Sequence, residues 1–219
     1  ANGSQGINIF IRNDATGRWT KSSDFPGPTG FIGEDNSVRA MVVHKDKVTG
    51  VDRVFISVGR SGIFSGAYDP NVAGGIRWNY SSESGPLPMR SLAIIEANGD
   101  VFYSTGAQIF RRTDGLFPSF QLIHDLSDMS PGSVQSAVGG IRGLSAIDNP
   151  NGAGQSLILL WCPNGSSSIG QVIRLDPNES GGYRRVVEAT LNNAISEFLN
   201  GAKVAYVLGA YNCFMPVKN

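Results

Sequence analysis

The sequence predicts an all-β protein built from a repeated four-strand unit, and three observations carry that prediction. The 219 residues include 28 Gly and 11 Pro, a turn-rich composition. The apolar runs are short and favour Val, Ile, Phe and Tyr, which suit a pleated, half-buried surface, over Ala, Glu and Lys. An apolar–Arg–small–apolar pattern recurs as Val38-Arg39-Ala40-Met41, Met89-Arg90-Ser91-Leu92 and Ile141-Arg142-Gly143-Leu144, so a unit of about 51 residues repeats.

The clearest copy is Met89–Gly115. Met89–Ile95 reads as a first strand, A, and Asn98-Gly99 supplies a tight hairpin because both residues tolerate positive φ. Asp100–Thr105 returns as strand B, Ala107–Arg112 follows as C, and Asp114-Gly115 marks a further turn. The other units repeat this order. Strand B recurs as Arg53–Val58 and Ser156–Trp161, and strand C as Gly62–Tyr68 and Gly170–Leu175, each followed by Asp69-Pro70 or Asp176-Pro177. A more polar strand D ends each unit: Ile76–Ser81, Ser119–His124 and Tyr183–Glu188.

Four antiparallel strands recurring at this period resemble the blades of a β-propeller. One domain is expected over 1–219, divided into a C/D half-blade at 1–28, blades at 29–85, 86–136 and 137–189, and a helix plus A/B half-blade at 190–219. The N-terminal half-blade is Ile7–Arg12 and Gly17–Lys21, with Trp19 placed as Trp78 is in the next unit, and the C-terminal half begins at Lys203–Leu208. These complementary halves predict closure into four blades, which removes an exposed sheet edge. The alternative is part of a larger propeller of six to eight blades. A short helix is expected over 191–199, where Leu191, Ile195, Phe198 and Leu199 follow helical spacing after Thr190.

The turn Asn13-Asp14-Ala15-Thr16-Gly17-Arg18-Trp19 places Asp, Gly and Trp in the order of an Asp-box, so it loosely resembles the hairpins of sialidase and sortilin-like propellers, with one extra residue between Asp and Gly. Lectin-type propellers are a second architectural resemblance. It implies sugar pockets at blade junctions, with Trp19 and Trp78 as stacking faces; the competing reading is packing, since both occupy the strand-D place that Phe120 holds in the unit after that of Trp78.

Charge narrows the function classes. Lys+Arg 18 balances Asp+Glu 18, with no basic run, which argues against a nucleic-acid partner. No apolar stretch is long enough to span a membrane as a helix. The opening residues carry no signal-peptide pattern. The sequons at Asn2, Asn79, Asn164 and Asn178 lean toward an extracellular, secreted glycoprotein.

Arg39, Arg90 and Arg142 are candidate ligand-binding residues, because guanidinium groups converging on a channel suit a carboxylate or sulfate. The competing reading, favoured for a repeated residue, is that each bridges neighbouring blades. His44 and His124 lie in different units without zinc spacing, and Cys162 and Cys213 fall one period apart. No cofactor is expected; the loop carboxylates Asp125, Asp128, Glu34 and Asp35 do not match a calcium motif. No nucleophile elbow surrounds Ser57, Ser61 or Ser65, and no catalytic residue is assigned. The expected function is a secreted, non-catalytic binding or scaffold propeller that recognises a glycan or a protein partner. The alternative is a propeller-type hydrolase acting on an acidic substrate at the channel. A second chain or oligomer is the expected partner if the ring is incomplete.

Overall fold

The computed structural model of the chain describes residues 7–25, 38–58, 62–72, 75–79, 83, 91–129, 140–162, 169–192, 203–207 and 210–214. The described residues are all-β. Three sheets of four antiparallel strands follow one another along the chain. The first holds β3 (Val38–Lys45), β4 (Asp52–Val58), β5 (Gly62–Tyr68) and β6 (Ile76–Trp78). The second holds β7 (Ser91–Ala97), β8 (Asp100–Thr105), β9 (Gln108–Arg112) and β10 (Phe120–Asp125). The third holds β11 (Gly140–Asp148), β12 (Gln155–Cys162), β13 (Ile169–Pro177) and β14 (Tyr183–Asn192). Two hairpins, β1 (Ile7–Arg12) with β2 (Trp19–Phe25) and β15 (Lys203–Val207) with β16 (Ala210–Phe214), form separate two-stranded sheets. No ladder joins these two hairpins among the described residues.

Local chemistry accounts for the meanders. Asn98 (φ 52°) and Gly99 (φ 71°) both adopt the left-handed conformation, which a two-residue turn needs to match the twist of its strands. A Cβ at Gly99 would also sit 2.6 Å from Lys47 Cε, so glycine answers both backbone and neighbour.

Period-two alternation decides the packing. Ile94, Val101 and Tyr103 face the first sheet and meet Phe55 and Ile63, with Ala40, Val42, Phe110 and Phe120 at the margin. Ala93, Phe102 and Ile109 point the other way, to Leu144, Leu157, Leu159, Trp161, Ile173 and Leu175 of the third sheet. The second sheet is thus apolar on both faces because a sheet covers each. Beyond the third sheet, β15 lies beside β11 and β12.

Turns at the A/B end knit neighbouring sheets. Lys47 Nζ donates to Asp100 at 2.7 Å, while Asn98 exchanges three hydrogen bonds with Gln155 at 2.6–3.1 Å. Outside these turns, Arg185 of β14 forms a two-pronged bond to Asp128, which lies in the 3-10 turn Ser127–Met129 after β10.

Three expectations need correction. The helix expected over 191–199 does not begin at Leu191, because β14 continues through Asn192, with Leu191 opposite Gly170 and Asn192 opposite Ile169; residues 193–200 lie outside the described set. Strand D of the first unit stops at Trp78, three residues short of Ser81. The arginine series does not hold one backbone position. The register shifts of β3 and β11 fall at Arg39 and Arg142, whereas the equivalent shift in β7 falls at Leu92, two residues beyond Arg90.

Candidate functional site

A cleft of about 230 Å³ opens at the junction of the first and second sheets. Its floor comes from pairing register. His44, Arg53, Ala67 and Arg77 are successive cross-strand neighbours on β3, β4, β5 and β6, so they share the face turned toward the second sheet. Ser65 lies two residues before Ala67 on that same face. Glu83 is fixed by its backbone N–H donating to the Ile63 carbonyl at 2.8 Å. The second sheet supplies Arg112, at the end of β9, and the loop Gly115, Leu116 and Pro118.

Arg112 organises the charges. Its side chain is buried, with the guanidinium carbon 4.7 Å from the Phe55 ring centre. Nε donates to Glu83 at 2.8 Å and Nη1 to Asp114 at 3.0 Å, while Glu83 also accepts from the Ser65 hydroxyl. Asp114 is held further by His44 Nε2, 3.0 Å from both carboxylate oxygens, and by the Lys47 N–H at 2.8 Å. Behind them lies fully buried Asp46, 3.9 Å from Arg112 Nη1. Burial pushes the Asp46 carboxyl upward, but the N–H groups of Thr49, Gly115 and Val48 outweigh it and bring its pKa down to about 2.

Two donors are left over. Arg53 Nε and Arg112 Nη2 are buried and have no acceptor among the described residues. A buried donor without a partner costs about 1–3 kcal/mol, and both atoms are enclosed, so the donors within reach from the cleft are the terminal N–H groups of Arg53, whose side chain is 23% exposed. The Arg53 side chain makes no hydrogen bond among the described residues; its Nε forms a long ion pair with Asp46 Oδ2 at 3.6 Å. Beside the polar floor are exposed apolar groups. Leu116 is 81% exposed, and Phe117, between two lining residues, is 92% exposed.

The third sheet offers an internal reference. Asp176 is buried at the centre of a satisfied cluster: it accepts from Ser156 at 2.7 Å, Arg174 at 2.6 and 3.1 Å, Asn151 at 2.9 Å and Arg184 at 3.3 Å. Burial would raise its pKa, yet the bonds from Arg174, Ser156 and Asn151 hold the carboxyl far below the usual carboxylate range.

The expected site residues fall elsewhere. Arg90 lies outside the described residues, and Arg39 and Arg142 lie on β3 and β11 with side chains outside them. Trp19 is exposed at the start of β2. Trp78 packs across Gly66, beside Ile56, Val58 and Phe64, on the face of the first sheet away from the cleft. The structure therefore does not bring Trp19 and Trp78 together with the cleft residues. Among the sequons, Asn79 is exposed and lines the cleft, and Asn178 is exposed but bonds its own turn through Ser180 and Gly182; Asn2 and Asn164 lie outside the described residues. In the Asp-box-like turn, the capping side chain is Asn13, which accepts from the Thr16 N–H at 3.0 Å, while Asp14 is exposed and pairs with Arg12 at 3.6 Å.

Sequence reasoning passed over Arg53, Arg77, Glu83 and Arg112, and weighed Ser65 only as a nucleophile. One signal was available. Asp69 and Arg77 are eight residues apart, as are Asp176 and Arg184, and both pairs bond across the turn between strands C and D. No family model matches the chain, and no curated protein is significantly similar to it.

Proposed function

We propose that the chain is a secreted recognition module that binds a glycan, without chemistry, in the cleft between its first two four-stranded sheets. The observation that carries this reading is the pairing of the part-exposed Arg53 guanidinium, whose side chain makes no hydrogen bond among the described residues, with the exposed apolar neighbours Leu116 and Phe117. A sugar ring offers hydroxyl or acidic oxygens to the former and an apolar face to the latter. Engagement of the lining carboxylate supports binding over hydrolysis: Glu83 is held by Arg112 Nε at 2.8 Å and by the Ser65 hydroxyl.

The architecture in this reading is a β-propeller. Its support is the serial stacking of sheets, in which β3 lies against β7, β7 against β11, and β11 against β15. The two terminal hairpins then correspond to complementary halves of one blade. Exposed sequons at Asn79 and Asn178 support the extracellular assignment.

A glycan array probed with the full chain and with Phe117→Ala tests the recognition. Binding lost in the variant while the circular-dichroism spectrum is unchanged is the expected result. Absence of any glycan signal, or one indifferent to Phe117, removes the reading. Ring closure is tested by sedimentation: a compact monomer is expected, and concentration-dependent assembly through open edges counts against it.

A further inference from the structure

Two equivalent rows of the molecule differ at two of their three positions. The turn between strands C and D opens at Asp69 in the first sheet, where its N–H donates to the Gly75 carbonyl at 2.9 Å, and at Asn178 in the third, where the N–H donates to Gly182 at 3.0 Å. Two residues earlier stand Ala67 and Asp176. Across the ladder, Ala67 pairs with Arg53 and Arg77, and Asp176 pairs with Arg184 and accepts from Ser156. The third sheet thus reads Ser–Asp–Arg and the first reads Arg–Ala–Arg. The first row gains a guanidinium and loses the carboxylate between its donors; Arg77 takes Asp69 instead, at 2.6 Å, and Arg53 is left without a hydrogen-bond partner among the described residues.

We propose that the cleft is a carboxylate subsite and that its ligand is an acidic, uronate-type sugar whose carboxylate sits over Ala67, where the third sheet has its own Asp176. This rests on the glycan-binding reading above. The methyl of Ala67 leaves the space, and Arg53, part-exposed in the cleft lining with its Nε turned to Asp46 at 3.6 Å, keeps terminal N–H groups that make no hydrogen bond among the described residues and suit two carboxylate oxygens. Arg112 stands behind with its spare Nη2. Glu83 is occupied by Arg112 and the Ser65 hydroxyl, so it orients these donors, and its own negative charge disfavours a more highly charged oxyanion such as sulfate.

The test is the thermal midpoint of the full chain with sodium glucuronate, glucose or sodium sulfate at matched ionic strength, since a ligand that binds only the folded state raises it. Glucuronate is expected to bind at least roughly tenfold more tightly than glucose or sulfate. Ala67→Asp, which supplies the carboxylate from within, is expected to fold and to lose the glucuronate response. Arg53→Gln is expected to lose it as well, and carries the test alone if Ala67→Asp does not fold. Equal responses to glucuronate and glucose, a sulfate response matching glucuronate, or a glucuronate response that survives Arg53→Gln overturns the proposal. No glucuronate response together with Phe117-dependent binding of neutral glycans sinks the carboxylate subsite and leaves recognition standing. Loss of both sinks both.

Discussion

The acid centre of the third sheet and the cleft of the first are built on the same meander, yet one is complete and the other is open. Asp176 satisfies its surroundings through Ser156, Asn151, Arg174 and Arg184. In the first sheet Ala67 occupies the corresponding place, and Arg53 lacks a hydrogen-bond partner among the described residues. Two differences in that row, Ser156 against Arg53 and Asp176 against Ala67, separate the closed cluster from the open cleft.

Substitutions sharpen this contrast. Arg112→Met is expected to have the largest effect, about 3–5 kcal/mol lost in urea denaturation, because it strips the counter-charge from buried Asp46, Glu83 and Asp114. Asp176→Asn is expected to cost about 2–3 kcal/mol in the same measurement, since it removes the charge that Arg174 and Arg184 share while keeping much of the shape. A loss close to zero at Asp176 would break the comparison, because the knot would then contribute nothing that the cleft lacks.

Acid adds a graded effect. The folded-state pKa of Asp46 is depressed, so its contribution is present above the ordinary value of 3.8 and disappears as pH falls toward about 2. Denaturation midpoints recorded across that window are expected to drop, and Asp46→Asn is expected to flatten the drop. An unchanged slope in the variant would assign the acid sensitivity elsewhere. The smallest effect belongs to Arg53→Gln, which is expected to shift stability by less than about 1 kcal/mol, because the native guanidinium makes no hydrogen bond among the described residues and holds Asp46 through a long ion pair at 3.6 Å. A large loss there would make Arg53 a structural residue like Arg174.

Much of the scaffold was legible before any coordinates. β5 spans the predicted Gly62–Tyr68, and the Asn98-Gly99 hairpin adopts the predicted left-handed geometry. Both depend on neighbours in the chain: alternation of side chains and tolerance of positive φ. The failures also have local causes. Leu191 and Asn192 fit a helical template, but pairing with Gly170 and Ile169 extends β14 and overrides that spacing. Arg90 matched Arg39 and Arg142 by spelling, yet the register shift of β7 falls two residues later, at Leu92.

The site was the least legible part. Its residues come from β4, β5, β6 and β9 and from two segments between strands, in two different sheets. Arg112 gives no hint in sequence that it meets Glu83, 29 residues earlier.

By itself, then, the sequence determined where strands form, where they turn, and that a four-strand unit recurs, since each follows from contacts or backbone preferences a few residues apart. Only the tertiary structure decided which face each sheet presents to the next, which charged groups meet in the dry junction, and that Ala67 leaves Arg53 facing open space. Those outcomes depend on packing one sheet against another, where burial turns a missing carboxylate into an energetic vacancy that no stretch of sequence displays.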